Sequence, residues 1–354
     1  MLFWERLLAD AGLELAYFSG VGRALEGLTG GAGAILKFEH VRPPQDHPFQ
    51  PLRSAEITPE FLDSAITALK RWQFDFLSID EVVGRVQQPA IARRFVSLSF
   101  DGGYRDFMTF AYPVLSHHRV PFTLYIPTGF VDGIAKAWWL ALEQVVARNA
   151  RIALVMNRVE RRFNVATFEE KYELCAVLHA WLLSLPPADL AVAIADLCGR
   201  YGVDLNSVSR DIAMTWQDLS MLARDPQATI GSATVSHPNL AQTKGTTALR
   251  EMTMGRNVLE SALDGPCRHF AYPFGERGTF GPRDMLLARE AGFISAVSAG
   301  GGVVRADGQS DLMALPRIAW DGRRRSLRAL RVVLSGITAR REKKRKPETA
   351  VNYG

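Results

Sequence analysis

The sequence predicts an α/β fold, a distorted (β/α) barrel of about seven strands with a helical insertion. Short apolar runs alternate with helical segments, which favours a parallel sheet. Polar residues collect where these runs end, as at Glu39-His40, Asp101 and His237. Because the carboxyl ends of barrel strands share one face, this layout indicates a site at that face. The glycines of TGGAGAILKF precede the first strand, which argues against a doubly wound dinucleotide fold.

The strand predictions follow apolar runs bounded by polar or turn residues. In chain order these runs are AILKF (34–38), DFLSI (75–79), FVSLSF (95–100), FTLYIPT (122–128), ATIGSATVSH (228–237), CRHFAYPF (267–274), FISAVSA (293–299) and LPRIAW (315–320). Residues 57–72 have helical spacing, with Thr58 as the cap and Pro59 in the first turn.

Three regions are predicted from these patterns. Residues 1–30 form an N-terminal helical segment, and residues 31–322 form the barrel, with a helical insertion at about 138–214. Residues 323–354 form a basic tail, in which residues 323–346 contain eleven Lys/Arg and one Glu and therefore have a net charge of +10. The whole chain carries +5, so the remaining residues sum to −5. Such a tail is suited to an anionic membrane surface, and its lack of interleaved aromatic residues disfavours nucleic acid. A frayed, solvated tail is the alternative.

Composition limits the class of protein. The 354 residues are 47% hydrophobic and 22% charged, which is typical of a globular chain. No apolar run is long enough to span a bilayer, and the N-terminus lacks the features of a secretory signal. We therefore expect a cytoplasmic protein whose three cysteines are reduced.

Six motifs occur in one order along the chain: FVSLSFDGGYRD, PFTLYIPTGFVDG, IGSATVSHPNL, RHFAYPFG, AGFISAVS and LPRI. From about Ile35 to Arg317 the chain thereby resembles the NodB-type polysaccharide deacetylases, carbohydrate esterase family four, and most of all the chitooligosaccharide deacetylases. The resemblance implies metal-assisted hydrolysis of the N-acetyl amide in a glycan that contains N-acetylglucosamine. It also implies a divalent metal, zinc, as the cofactor.

The resemblance assigns roles to individual positions. Asp101 matches the general base, and His237 matches one metal-binding histidine. Gly102 and Ala233 stand where the family has its metal-binding carboxylate and its other metal-binding histidine. Neither residue offers a donor atom in its side chain, and a catalytic zinc site needs three protein ligands. We therefore expect zinc to be weakly bound or absent, unless Glu39, His40 or Asp106 replaces the lost ligands.

The third motif assigns substrate-binding or orienting roles. Arg268 matches the arginine that orients the base, and Tyr272 and Pro273 match the segment beside the substrate. The late histidine that serves many members as general acid has no counterpart after His269, and His40, at the end of the first strand, is at most a substitute for it. We expect Asp101, His237 and Tyr272 to face one pocket and Asp101 to pair with Arg268.

Three hypotheses about function remain at this point. The first is an active metal-dependent deacetylase of a divergent type, a hydrolase of carbon–nitrogen bonds other than peptide bonds. The second is a catalytically impaired glycan-binding protein of the same fold, and the third is a regulatory protein that acts through its basic tail. The N-acetylated oligosaccharide or polysaccharide is the expected partner in the first two. The metal content of the purified protein distinguishes the first from the second.

Overall fold

The structure is a computed structural model that describes residues 3–87, 93–306 and 310–338. Its strands are β1 (Gly33–Phe38), β2 (His40–Val41), β3 (Glu56–Ile57), β4 (Asp75–Phe76), β5 (Phe95–Asp101), β6 (Phe122–Ile126), β7 (Arg151–Met156), β8 (Val159–Asn164), β9 (Ala228–Ser232), β10 (His269–Ala271), β11 (Ser295–Val297) and β12 (Arg317–Ala319). Its α-helices are α1 (Phe3–Phe18), α2 (Val21–Thr29), α3 (Pro59–Arg71), α4 (Ile79–Gln87), α5 (Tyr112–His118), α6 (Thr128–Val131), α7 (Trp138–Arg148), α8 (Phe168–Ser184), α9 (Pro187–Tyr201), α10 (Leu205–Ile212), α11 (Trp216–Leu222), α12 (Gly245–Leu263), α13 (Pro282–Glu290) and α14 (Leu327–Leu334).

Seven parallel strands form the barrel. Their order is β11-β10-β9-β6-β5-β1-β12, and β4 joins alongside β5. Leu315, two residues before β12, pairs in parallel with Val297 of β11, so the path nearly closes on itself. The predicted barrel is confirmed, and each apolar run that was assigned to it contributes a strand.

Alternation along the strands separates an inner core from an outer one, since successive side chains of a strand point to opposite faces. The inner core contains Ile35, Phe95, Tyr125, Ala271, Val297 and Leu315. The outer core includes Leu36, Leu98, Phe100, Leu124 and Phe270, which pack under the surrounding helices. The barrel therefore has a filled interior, and its carboxyl end is the place left for polar inward-facing residues.

Helix α3 shows how local sequence begins an element of the outer layer. The Thr58 hydroxyl accepts a hydrogen bond from the backbone N–H of Phe61 at 3.2 Å, and Pro59 occupies the first helical position. A threonine cap and a proline at this position both favour helix initiation. The predicted cap is confirmed.

The insertion contains a β-hairpin that the helical prediction missed. Strands β7 and β8 are antiparallel, and their two-residue turn has positive φ at Asn157 (51°) and Arg158 (67°). Turns with two such residues match the twist of a hairpin, but Asn-Arg lacks the Asn-Gly signature that marks them in a sequence. The rest of the insertion is helical, in α7 to α10, and has its own apolar core around Trp138, Leu178 and Leu197.

The C-terminal boundary requires a correction, because the predicted basic tail does not begin at residue 323. Helix α14 buries Leu330, Val332 and Leu334 in the outer core. Its arginines pair with the N-terminal helices, as in the contact of 2.9 Å between Arg331 Nη2 and Glu26 Oε2. The prediction considered only the net charge of this segment and therefore missed the apolar face of an amphipathic helix. Residues 339–354 lie outside the described residues, so the expectation for them stays a prediction.

Two further features of the described residues bear on the class of protein. None of the helices in the described ranges combines the length and the apolar character needed to cross a membrane. The thiols of Cys175, Cys198 and Cys267 are buried and free, as expected for reduced cysteines.

Glu143 gives the insertion a pH-dependent stability. Burial, and then the neighbouring carboxylate of Glu56, raises the pKa of Glu143 from 4.5 to about 7. Between these values the folded state keeps a proton that the unfolded state releases. The contribution of Glu143 to stability is therefore complete below about pH 4.5 and is lost as the pH rises through about 7.

We predict that Glu143→Gln and the wild type have similar unfolding free energies at pH 4.5. At pH 8 the variant should be more stable by about 1–3 kcal/mol, because it avoids a buried negative charge. Urea unfolding at both pH values measures the difference. Glu173→Gln, at an exposed position of α8, is the control and should show no such growth with pH. Parallel pH profiles for wild type and Glu143→Gln would contradict the prediction.

Candidate active site

Three charged side chains from adjacent strands meet inside the barrel, near its carboxyl end. Lys37 lies on β1, Asp101 ends β5 and Arg317 begins β12, and the order of these strands is β5-β1-β12. Leu36, Phe100 and their neighbours on the opposite strand face belong to the outer core. Strand alternation therefore turns the charged residues inward.

Asp101 and Arg317 form a buried bidentate pair. Arg317 Nη1 lies 2.6 Å from Asp101 Oδ1, and Nη2 lies 2.8 Å from Oδ2. Arg317 Nε donates to the carbonyl of Ser298 at 2.9 Å, and the side chain of Arg317 is 0% exposed. Lys37 Nζ is 3.6 Å from Asp101 Oδ2 and 2.5 Å from Glu39 Oε1. We call Lys37, Glu39, Asp101 and Arg317 the mouth cluster.

The mouth cluster contains two cations and two carboxylates, so its charges balance. Burial by itself raises the pKa of Asp101, but Arg317 and Lys37 outweigh burial and hold that pKa below its usual value. Burial likewise disfavours the Lys37 ammonium, yet Glu39 and Asp101 leave its pKa raised. Lys37 and Asp101 are therefore both charged near neutral pH, and Asp101 is a weak base.

Tyr104 fills the space beside Gly102. Gly102 has φ = 102°, and a Cβ built there would lie 2.4 Å from Tyr104 Cε2. The Tyr104 ring stacks on His40 at 4.0 Å between centroids, and His40 Nδ1 lies 2.7 Å from Asp106 Oδ2. Burial, together with the carboxylates of Glu39 and Asp106, raises the pKa of Tyr104 well above its ordinary value. The residues around Gly102 are thus packed against one another, with an aromatic ring where a side chain at position 102 would go.

His237 lies in a strained loop after β9. Thr234 (φ 70°) and His237 (φ 56°) both adopt left-handed backbone conformations, which are costly for residues other than glycine. Glu251 of α12 holds this loop, since its carboxylate accepts from the backbone N–H groups of Val235 (3.0 Å) and Ser236 (2.8 Å). The loop conformation is therefore fixed by an acid on a helix, which the sequence prediction did not identify.

Aromatic rings surround the His237 imidazole. Its centroid is 5.0 Å from Phe274, 5.8 Å from Trp139 and 6.2 Å from Phe130. Burial lowers the pKa of His237 to about 4, although Asp101 opposes this shift. The imidazole is therefore neutral at physiological pH, and it is near enough to Asp101 to affect the pKa of that carboxyl group.

The structure brings together some of the predicted site residues. Asp101 and His237 lie at the same end of the barrel, and His40 lies next to them beside Tyr104. The expectation that Tyr272 faces the same pocket is wrong. Tyr272 is buried in the outer core, where its hydroxyl donates to the carbonyl of Met313 at 2.7 Å and its ring stacks on Phe280. Pro273 is also buried.

Arg268 does not pair with Asp101. Its Nη1 lies 3.3 Å from Asp80 Oδ1, and its side chain is 52% exposed. Arg268 precedes β10, whereas Asp101 ends β5, and residues that precede parallel strands lie at the opposite face from residues that follow them. Arg317 holds the carboxylate instead. Arg317 is the arginine of the LPRI motif, but the spacing of the motifs gave no indication that it pairs with Asp101.

The donor groups at the mouth do not fit the expected zinc site. Both Asp101 oxygens are taken by Arg317, Glu39 is held by Lys37, and the Gly102 position is filled by Tyr104. In the part of the chain that the structure describes, no three His, Cys, Asp or Glu residues are grouped so as to hold a metal ion. Of the replacement ligands that the sequence suggested, Glu39 is held by Lys37, and His40 Nδ1 lies 2.7 Å from Asp106 Oδ2.

Comparisons with known proteins agree with this architecture. The family model for polysaccharide deacetylase matches residues 200–293. No curated protein sequence matches the chain. The fold is that of the polysaccharide deacetylases.

Three solved structures illustrate the likeness in fold. The deacetylase PplD of Streptococcus pyogenes, in complex with acetate, aligns with a TM-score of 0.55 at 17% identity, covering 84% of this chain and 96% of PplD. A polysaccharide deacetylase from Bacillus cereus aligns with 0.54 at 11% identity, covering 85% and 68%. IcaB of Ammonifex degensii aligns with 0.53 at 14% identity, covering 86% and 98%. The predicted resemblance to NodB-type deacetylases is thereby confirmed at the level of fold.

We predict that Arg317→Met destabilises the protein by about 3–5 kcal/mol, because it leaves Asp101 buried without its bidentate partner. Arg268→Met is the matched control and should cost less than about 1 kcal/mol, since the Arg268–Asp80 pair is exposed. Urea unfolding of both variants measures the losses. Equal losses, or a larger loss for Arg268→Met, would show that the pairing described here is wrong.

We predict that Gly102→Ala lowers stability by about 1–3 kcal/mol, because φ = 102° and the Tyr104 ring both oppose a Cβ. Adding Tyr104→Ala should remove the loss of stability that comes from the clash with the ring, but not the loss that comes from the backbone conformation. Gly84→Ala is the control, because no atom lies within 4 Å of its Cβ position in helix α4. That variant should gain about 0.5–1 kcal/mol. A neutral effect of Gly102→Ala would contradict the argument.

Proposed function

We propose that this protein binds an N-acetylated glycan at the carboxyl end of the barrel without a catalytic metal, and hydrolyses the acetyl amide weakly or not at all. The deacetylase fold and the family match over residues 200–293 support a glycan that contains N-acetylglucosamine as the ligand. Lys37 and Arg317 place two positive charges next to Asp101 in the barrel mouth.

One observation carries this proposal. The place where the family pattern has a metal-binding carboxylate, Gly102, has a left-handed backbone and the Tyr104 ring against it. If only a metal ligand were lost, the space of its side chain would stay empty, and one substitution would restore the ligand. Here the Tyr104 ring is packed against that position, and the Asp101 carboxylate is paired with Arg317 and lies 3.6 Å from Lys37.

The mouth also offers surfaces for sugar rings. Trp139, His237 and Phe274 are partly exposed aromatic residues that adjoin one another. Aromatic rings supply large, rigid contact area at binding sites, with a low entropy cost. Small-molecule sites typically combine such apolar surface with a few fixed polar groups, a role that suits the mouth cluster.

Hydrolysis is the second candidate function. Asp101 ends β5 as the family's general base does, and the deacetylase family implies a hydrolase acting on carbon–nitrogen bonds. That family is generally metal-dependent, and zinc binding by this chain stays a prediction. A cytoplasmic location and a contact of the basic tail with anionic membranes also stay predictions, which cell fractionation and vesicle sedimentation can test.

Calorimetric titration of the full chain with N-acetylated chitotetraose tests the proposal. We predict binding in the presence of EDTA, an affinity changed less than about twofold by added zinc, and much weaker binding of the deacetylated tetramer, because the acetyl group is recognised without a metal. Trp139→Ala should weaken binding at least about tenfold, the typical cost of removing a central aromatic contact. Trp181→Ala, in the insertion beside Asn157, is the control.

Acetate release from the same oligosaccharide separates the two candidates. No release, with or without zinc, is expected from the wild type. Zinc-dependent release that Asp101→Asn abolishes would establish the hydrolase and overturn the impaired-site proposal. Absence of binding to both oligosaccharides would overturn the proposed ligand class.

A further inference from the structure

A large cavity lies between the barrel mouth and the insertion. Its volume is about 680 Å³, within the roughly 300–1,000 Å³ typical of small-molecule sites. The walls come from α8, α9 and the start of α10 on the insertion side. On the barrel side they come from the loops that contain His237 and Phe274.

The insertion side of this cavity is mostly apolar, with Asp204 and Asn206 as polar residues near the start of α10. Leu183 and Leu185 at the end of α8, together with Leu190 and Ile194 of α9, form much of its surface. A row of exposed α9 residues with short side chains also lines the cavity and leaves room for a ligand. Its members are four residues apart, so they lie on one face of the helix. This row consists of Pro187, Ala191, Ala195 and Gly199.

The barrel side of the cavity is polar and adjoins the mouth cluster. His237 lines the cavity, together with Ser236 and Asn239 of the same loop. Its Nδ1 is buried and has no hydrogen-bond partner among the described residues. Asn239 Nδ2 donates to the carbonyl of Leu183 at 2.8 Å, which ties the His237 loop to the insertion. One ligand can therefore contact both regions, with a polar part at the mouth and an apolar part in the cavity.

We propose that this cavity receives a saturated hydrocarbon chain attached to the glycan. The proposal rests on the glycan-binding function proposed above and narrows its ligand to an amphipathic sugar. The chain has two chemical sources, an N-acyl group longer than acetyl or an alkyl group on the anomeric oxygen. Both bury methylene groups against Leu183, Leu190 and Ile194, and the experiment distinguishes them.

Calorimetric titration with two series of glucosamine derivatives tests the proposal. One series compares the methyl and hexyl β-glycosides of N-acetylglucosamine, and the other compares the N-acetyl and N-hexanoyl forms of the methyl glycoside. Each buried methylene adds up to about fourfold in affinity. We expect a gain of at least tenfold in one series, which identifies the source of the chain.

Ala195→Phe places a large ring on the cavity wall and should remove this gain, measured for each variant against its own affinity for the methyl glycoside that lacks the longer chain. Ala188→Phe is the matched control, because Ala188 is an exposed residue of α9 outside the cavity lining. It should keep the gain. Ala191→Phe, one turn before Ala195, serves as the second cavity variant if Ala195→Phe does not fold.

Two results would overturn the inference and leave the proposed function standing. One is binding of the sugar with no gain in either series, and the other is a gain that persists in both cavity variants. Hexanol that binds as tightly as the hexyl glycoside would overturn the amphipathic sugar as the ligand. Failure of every sugar to bind would instead refute the proposed function itself.

Discussion

The buried pair of Asp101 and Arg317 is the interaction on which the barrel mouth depends. It joins β5 to β12 across β1, and Lys37 of the intervening strand lies 3.6 Å from the same carboxylate. Two buried charges are costly to desolvate, and only good geometry with further hydrogen bonds offsets that cost. The two short contacts to Asp101 and the Ser298 carbonyl supply this geometry. The pair therefore constrains the last strand to close the barrel beside the first.

The same pair decides what chemistry the mouth can support. A metal ion near Asp101 would meet the Lys37 ammonium and the Arg317 guanidinium, and like charges repel strongly where water is excluded. The Tyr104 ring also occupies the space that a side chain at position 102 would need. Electrostatics and packing thus act in the same direction, since both oppose a metal ion beside Asp101. The proposal of glycan binding without a metal rests on this arrangement.

The insertion adds a second surface to this site. Its α8 and α9 helices have a separate apolar core, and they meet the barrel at the loop that contains His237. Two hydrogen bonds hold this loop in its strained conformation. Glu251 of α12 accepts one from the loop backbone, and Asn239 of the loop donates the other to the carbonyl of Leu183 in the insertion. Backbone strain of this kind persists where the surroundings determine it, and it concentrates at functional sites. The mouth and the cavity therefore adjoin each other at the loop that contains His237.

The sequence by itself determined the barrel, its strand order along the chain, the Thr58 cap and the position of Asp101, because hydrophobic periodicity and residue caps are local properties. Only the tertiary structure decided which arginine holds Asp101. Arg268 and Arg317 are equally basic in the sequence, but Arg268 is exposed beside Asp80 whereas Arg317 points into the barrel and reaches Asp101. The same holds for Tyr272, whose outward direction depends on the phase of β10, and for α14, whose arginines acquire partners only when the N-terminal helices pack against it. Pairing between distant residues is a property of the closed barrel, and no local pattern encodes it.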